Sequence, residues 1–288
     1  MTINPVVVVE DPVAYDYNEL IAKVLELNLA INRLDIFIKK PFDDSVQLNE
    51  ILSKYYHHSR KIAFDNGFDY RFEINILFNQ QFKLRSCWNL IYKAKSENLE
   101  TSGRVIDVDA DIVKNTIPGG GKCCRYYNSV ALGGTFDHIH DGHKILLSVA
   151  LFLTNKTLIV GITGGKLLVN KKYPQALQSY STRQAKVIEF LRLILVHQSA
   201  IYQLYEINDI CGPTGYVNDI DSLVLSFETI KGGDFVNKYR KDHSFHELDV
   251  EVINVIGHSE DLSELNNWEG KISSTDIRKE ILSRNNQT

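Results

Sequence analysis

The chain has 288 residues, of which 44% are hydrophobic and 24% charged. These proportions exclude a disordered or fibrous protein and leave room for two domains, or one large domain with an extension. Lys and Arg number 32 against 36 Asp and Glu, a formal net charge of −4, so no basic excess points to nucleic acid or to an anionic membrane. The four cysteines, Cys87, Cys123, Cys124 and Cys211, are too few for a disulfide framework and form no CxxC pair, which reads as free thiols in a reducing compartment.

The first residues carry no basic segment, and the apolar run Val6 to Val9 stops at Glu10, short of the roughly 7–15 residues of a secretory signal. The densest apolar stretch, Ile145 to Leu153, is broken by Ser148 and falls well below the about 20 residues that span a bilayer. The expectation is a soluble cytoplasmic protein, with the nucleus also open. Tyr17 to Leu29 shows apolar residues at helical spacing, while Leu34 to Ile38 and Phe72 to Phe78 read as strands, which suggests a smaller α/β domain. His57 and His58 are adjacent, so on a helix their side chains diverge, and the pair reads as solvated. No chemistry is evident in this half. Ile117-Pro118-Gly119-Gly120-Gly121-Lys122 cannot continue a helix or a central strand, and it divides the chain into domains at 1–120 and 125–288.

The second half is more regular. Asn128 to Leu132 reads as a strand, 141–153 as a helix, and Thr157 to Ile162 as a strand covered on both faces. Ser181 and Gln184 fit a capping box that starts a helix running to about His197. Ile201 to Ile207, Leu223 to Phe227 and Val250 to Ile256 are further strand candidates. Strands alternating with helices imply a parallel, doubly wound, Rossmann-like sheet that binds ligands at the carboxyl ends of its strands.

At one such end lies Leu132-Gly133-Gly134-Thr135-Phe136-Asp137-His138-Ile139-His140-Asp141-Gly142-His143-Lys144. The glycines let a backbone approach a ligand, and the helix start attracts anions. His140 and His143 can both point toward a phosphate. Two other readings stand beside phosphate handling: helix-cap histidines at the surface, and a zinc site of His138, His140 and His143, whose spacing is not the i,i+4 pair common for zinc. Ser273, Ser274 and Thr275 cap a further helix and offer a second anion cradle, with Arg278 one turn in.

Gly-Gly-Thr-Phe-Asp from Gly133, His140-x-Gly142-His143, and Ile-Ser-Ser-Thr-x-Ile-Arg ending at Arg278 together resemble the nucleotidyltransferase superfamily with the HxGH signature. Lys144 to Ala150, Leu158 to Thr163, Tyr180 to Arg183, Gly212 to Gly215 and Glu228 to Gly233 extend the similarity over the second domain. Within the superfamily these stretches resemble the phosphopantetheine adenylyltransferases of eukaryotic, here fungal, type.

The resemblance implies transfer of AMP from ATP, with Mg2+, to 4′-phosphopantetheine in coenzyme A synthesis, by direct in-line attack. It also implies roles. Thr135, His140 and His143 act at the reacting phosphate; Ser273, Ser274, Thr275 and Arg278 hold the outer phosphates. Gly133, Gly134 and Phe136 line the turn, and Arg183 opens the following helix near the nucleotide. The family's bridging lysine falls on Lys166, Lys171 or Lys172, where an insertion prevents a choice. Glu228 to Gly233 replaces an arginine-rich loop, so contacts there, at Gly232, are expected from backbone. His138 is accessory, and Asp137 either orients the metal or caps the turn. His243, His246 and His258 are expected on solvent loops, and no protein metal ligand is assigned.

Other acceptors on the same fold stay open: nicotinamide mononucleotide, phosphoethanolamine or phosphocholine. So does a non-catalytic scaffold for the enzymes of coenzyme A synthesis, which the first domain would contact as partners.

Overall fold

A computed structural model describes residues 4–27, 30–115, 125–195, 200–253 and 272–285. They fall into two compact units, one up to residue 115 and the other from residue 125 onward. The glycine-rich segment Pro118 to Lys122, the thiols Cys123 and Cys124, and His258 lie outside the described residues.

The first unit runs β1 (Pro5–Val9), β2 (Tyr15–Asp16), α1 (Asn18–Leu27), β3 (Arg33–Ile38), α2 (Ser45–Asp65), β4 (Glu73–Leu77), β5 (Leu90–Ala94), β6 (Val105–Val108) and β7 (Val113–Lys114). Five strands form a parallel sheet of order β4-β3-β1-β5-β6, and β2 pairs with β7 as a separate antiparallel ribbon. Val6 to Val9 are wholly buried, as a central parallel strand covered on both faces requires. The 21-residue helix α2 has no counterpart among the predicted elements, although Leu48, Ile51, Leu52, Tyr55 and Tyr56 share one buried helical face. Asp44 caps it, accepting from the Val46 N–H at 2.7 Å. His58 is not simply solvated. Its Nε2 lies 3.0 Å from the Asn18 carbonyl, and burial pushes the pKa of His57 and His58 down.

The second unit runs β8 (Tyr127–Gly134), α3 (Asp141–Leu153), β9 (Thr154–Thr163), α4 (Tyr180–Ile194), β10 (Ile201–Ile207), β11 (Ser222–Ser226), α5 (Ile230–Asp242), β12 (Asp249–Ile253) and α6 (Ser274–Asn285). Its sheet is parallel throughout, in the order β10-β9-β8-β11-β12. This is the doubly wound arrangement expected from sequence. The cap of α4 differs: Ser179, not Ser181, accepts the Thr182 N–H at 3.1 Å, and α4 stops at Ile194. The predicted end at His197 and the last residues of the strand predicted to Ile256 lie outside the described residues. Glu228 to Gly233, expected as a loop, forms a 3-10 turn and the start of α5. Gly233 permits this because an added Cβ would come within 2.9 Å of Leu225.

Counted along the chain, both five-stranded sheets have the order 3-2-1-4-5. A ligand crevice therefore falls between β8 and β11 in the second unit, and between β1 and β5 in the first. In the first unit the chain after β1 carries acidic and strapping side chains instead of glycines. Asp11 Oδ1 accepts the Val13 and Ala14 N–H groups at 3.2 and 3.1 Å, and its other oxygen pairs with Lys40. Glu10 pairs with Lys39, and Tyr17 donates to Glu97. Asn115, just past β7, donates to the carbonyls of Pro12 and Tyr15 at 2.7 and 2.9 Å. The Asp11 carboxylate thus occupies the Val13 and Ala14 N–H groups, the kind of donors a phosphate would need.

Candidate active site

In the second unit the same position carries a sharp turn. Residues 135–140 connect β8 to α3, and Phe136 and His138 adopt left-handed backbone with φ of 51° and 44°. Such a conformation costs a bulky residue about 1–3 kcal/mol, and packing offsets it. The Phe136 ring is wholly buried, lies beneath Gly134, where a Cβ would sit 3.1 Å from it, and is 5.3 Å from the His143 ring. The turn's carbonyls are held from three sides. Thr163 Oγ1 donates to Gly134 O at 3.0 Å, Arg183 Nη1 to Thr135 O at 2.7 Å, and Ser274 Oγ to Asp137 O at 2.7 Å. These bonds take up the negative carbonyl ends of the turn.

His140 is the N-cap residue of α3, and His143 stands in its first turn. The two rings lie 3.9 Å apart. His143 Nδ1 accepts the His140 backbone N–H at 3.4 Å, which places the ring proton on Nε2, free to be donated. Burial, then the charges of His140 and Lys171, hold the His143 pKa well below its usual 6.5. The ring is therefore a neutral donor at neutral pH.

The unfolded chain takes up a proton near 6.5 where the folded chain does not. Stability from this group is complete above that pH and is lost as pH falls toward the folded value. His57 and His58 act with the same sign. The urea midpoint should fall between pH 7.5 and pH 5.5, and His143→Gln should flatten that slope. An undiminished slope in H143Q would exclude His143 as a source.

The start of α6 meets the turn. Ser273 Oγ accepts the Asp276 N–H at 3.2 Å, Ser274 bonds the Asp137 carbonyl, and Thr275 Oγ1 accepts from Arg278 at 3.2 Å. All three hydroxyls thus hold the helix in place, and the N–H groups of Ser274 and Thr275, at the helix start, have no helical partner by geometry. Arg278 differs from expectation. Its side chain is 2% exposed and pairs with the buried Asp137 at 2.5 Å, so it is not an open phosphate ligand. Arg183 likewise is 1% exposed and brackets Thr135 O and Gln178 O; burial lowers its pKa.

Of the three lysines, Lys171 is the one whose charge acts on His143. Lys166 lies in the 3-10 turn Gly165–Leu167, its N–H 3.4 Å from Asn208 Oδ1. Lys172 contributes its carbonyl to Arg278. The ring of His138 reaches the Ala176 carbonyl at 2.7 Å, which turns it to a bracing role. His243 and His246 occupy exposed positions as expected, bonding the Tyr239 and Ile220 carbonyls at 2.8 and 2.7 Å. Among the described residues no group of three or more His, Cys, Asp or Glu could hold a metal ion. None of the described helices is long and apolar enough to cross a membrane.

Gly133 and Gly134 also form one wall of a cavity of about 220 Å3, lined largely by apolar residues such as Leu132, Ile159, Ile207, Leu223 and Leu225. Gly232 lines it with its open helix face, not a loop. Thr163 and Gln178 are site residues that sequence reasoning missed. Thr163 directly follows the strand predicted over Thr157 to Ile162 and ends the observed β9 on the ligand side of the sheet, a signal that was available. Gln178, whose side chain accepts the His138 N–H at 2.8 Å, carries no local signal.

Residues 131–280 match the model of the cytidylyltransferase-like family. A phosphopantetheine adenylyltransferase of Saccharomyces cerevisiae is 38% identical over 259 residues, 86% of this chain and 83% of the yeast protein. A phosphopantetheine adenylyltransferase of Pyrococcus furiosus is 34% identical over 132 residues, 46% of this chain and 80% of its own. That of Methanothermobacter thermautotrophicus is 30% identical over 155 residues, 54% of this chain and 85% of its own.

Proposed function

The chain belongs to the phosphopantetheine adenylyltransferases of the cytidylyltransferase-like family, and from that premise we propose the reaction of its second unit: transfer of AMP from ATP to 4′-phosphopantetheine, giving dephospho-CoA and pyrophosphate. The observation that carries this reading is a juxtaposition. A polyanion site built from His143, Lys171 and two helix starts adjoins an apolar cavity through Gly133 and Gly134. A triphosphate donor suits the first, and an acceptor with a phosphate at one end of a methyl-bearing arm suits both.

An oxygen of the acceptor phosphate attacks the α-phosphorus of ATP in line. The bond from that phosphorus to the bridging oxygen breaks, and pyrophosphate leaves with the electron pair. An ionised phosphate is already a nucleophile, so the protein supplies position and charge, with no covalent intermediate. His143 donates its Nε2–H to the transferring phosphoryl oxygens, with His140 and the Thr135 hydroxyl beside it. Lys171 bridges the two substrates. The first-turn N–H groups of α3 and α6, at Ser274 and Thr275, receive the outer phosphates. A divalent ion brought with ATP, magnesium in the proposed reaction, would offset charge on the phosphates and would need no protein ligand from these residues. Asp137 is not assigned to it, because its oxygens are taken by Arg278 and the Gln178 N–H. The free thiols Cys87 and Cys211 fit a reducing compartment, the cytoplasm or nucleus.

The test is pyrophosphate release from MgATP with 4′-phosphopantetheine or nicotinamide mononucleotide, and from MgCTP with phosphoethanolamine. Release with phosphopantetheine alone, with a new dephospho-CoA peak, is expected; release with another acceptor overturns the substrate. Calorimetric titration should count one ATP site per chain, since after β1 of the first unit Asp11 takes the N–H groups of Val13 and Ala14 and no glycine turn is present, and a stoichiometry of two would contradict this. Lys171→Ala should lower kcat/KM by about 10–100-fold, the loss of one charge-assisted contact. Lys166→Ala should stay within about threefold; the reverse ranking would reassign the lysine.

A further inference from the structure

Three segments must keep register for the proposed transfer: the turn 135–140, the loop 165–178 that carries Lys171, and the start of α6. Arg278 touches all of them. Its Nη1 bonds Asp137 Oδ2 at 2.5 Å, its Nε donates to the Lys172 carbonyl at 2.9 Å, and its Nη2 donates to Thr275 Oγ1 at 3.2 Å. Asp137 completes the ring of contacts, for its Oδ1 accepts the Gln178 N–H at 2.9 Å and its carbonyl accepts from Ser274. His138 adds a second tie to the same loop at Ala176 and Gln178.

A guanidinium in this setting is poorly placed to meet a triphosphate. It is enclosed, its donors are directed at protein acceptors, and a carboxylate 2.5 Å away compensates its charge. Its planar fork does something a lysine cannot. It directs fixed donors at three points at once, one of which is the carbonyl of Lys172, the residue that follows Lys171.

We propose that Arg278 is a positioning residue that acts through Lys171, clasping the lysine loop to the Asp137 turn and to α6 so that the Lys171 ammonium stays over the reacting phosphates. The proposal rests on the transfer reaction assigned above. It gives the arginine a role distinct from direct phosphate binding, which is what the sequence pattern alone suggests.

The experiment is a double-mutant cycle on the full chain, R278K, K171A and K171A/R278K, assayed by pyrophosphate release with MgATP and 4′-phosphopantetheine. R278K keeps a charge for Asp137 but loses the fork. Its kcat should fall about tenfold or more, with KM for ATP within about threefold, a cost of misplacement. In the K171A background the same change should cost no more than about twofold, because coupled residues are non-additive. Backbone amides of 165–178 should exchange hydrogen faster in R278K.

An undiminished loss in the K171A background would overturn the proposal. So would a raised KM for ATP with intact kcat, the mark of a direct phosphate ligand. If R278K does not fold, D137N/R278Q, which removes both charges together, carries the same cycle. Inactive wild-type protein would sink the assigned reaction instead, and unaltered exchange of 165–178 in R278K would still overturn the clasp.

Discussion

His143→Ala lowers kcat by about 10²–10³-fold, the usual cost of removing one preorganised donor from developing charge, and leaves KM for ATP nearly unchanged. The expectation follows from the state of the ring. His143 is neutral, with Nδ1 occupied by the His140 N–H, so its Nε2–H is preset and needs no protonation before each turnover. Its contribution grows as the phosphoryl oxygens gain charge in transfer, and it binds ground-state ATP less strongly. His140→Ala should cost less, since its ring only leans against His143 at a tilt of 33° and its backbone, which survives the substitution, supplies the contact to Nδ1. Steady-state kinetics of both variants, with circular dichroism to confirm folding, check the ranking. Activity of H143A within about fivefold of wild type would favour a scaffold over an enzyme.

The parts of this protein that sequence made legible are those encoded locally. Gly133 to Asp137 and His140 to His143 sit within one turn, so residue type and spacing carry both conformation and chemistry. The strands of the second unit read well because β8, β9 and β11 are buried on both faces and nearly unbroken in apolar character. The roles of Arg183 and Arg278 were not legible. Arg278 is fixed by Asp137, 141 positions away, and no local pattern tells an arginine aimed at a carboxylate from one aimed at a phosphate.

The first unit was read as α/β, but its helix α2 and its strand order were not legible, for a related reason. Its sheet has the same strand order as the second, yet β1 ends in Glu10-Asp11-Pro12 where a binding turn would carry glycines, and β6 is short and half-exposed. Shared topology left no shared motif. The buried Asp35 on β3 is held by its near neighbour Arg33 and by Asn75 and the Trp88 Nε1–H, the last two 40 and 53 positions away and invisible to local pattern.

The same logic gives the largest stability effect. Asp137→Ala should destabilise the second unit by about 3–5 kcal/mol, because it leaves the Arg278 guanidinium buried without its counter-charge. For a domain of this size that lowers Tm by roughly 6–20 °C, read on the second unit's own transition in calorimetry. The Gln178 N–H also loses its acceptor, which adds to the cost without summing with it. Arg278→Met alone should cost a similar amount by stranding the carboxylate. The double variant D137A/R278M should lose far less than the sum, since removing both charges of a buried pair spares their desolvation. A D137A transition within about 2 °C of wild type would mean that water reaches the pair and that Asp137 is not what joins the turn to α6. The full loss, with recovery in the double variant, would mean that one buried ion pair sets where the starts of α3 and α6 stand.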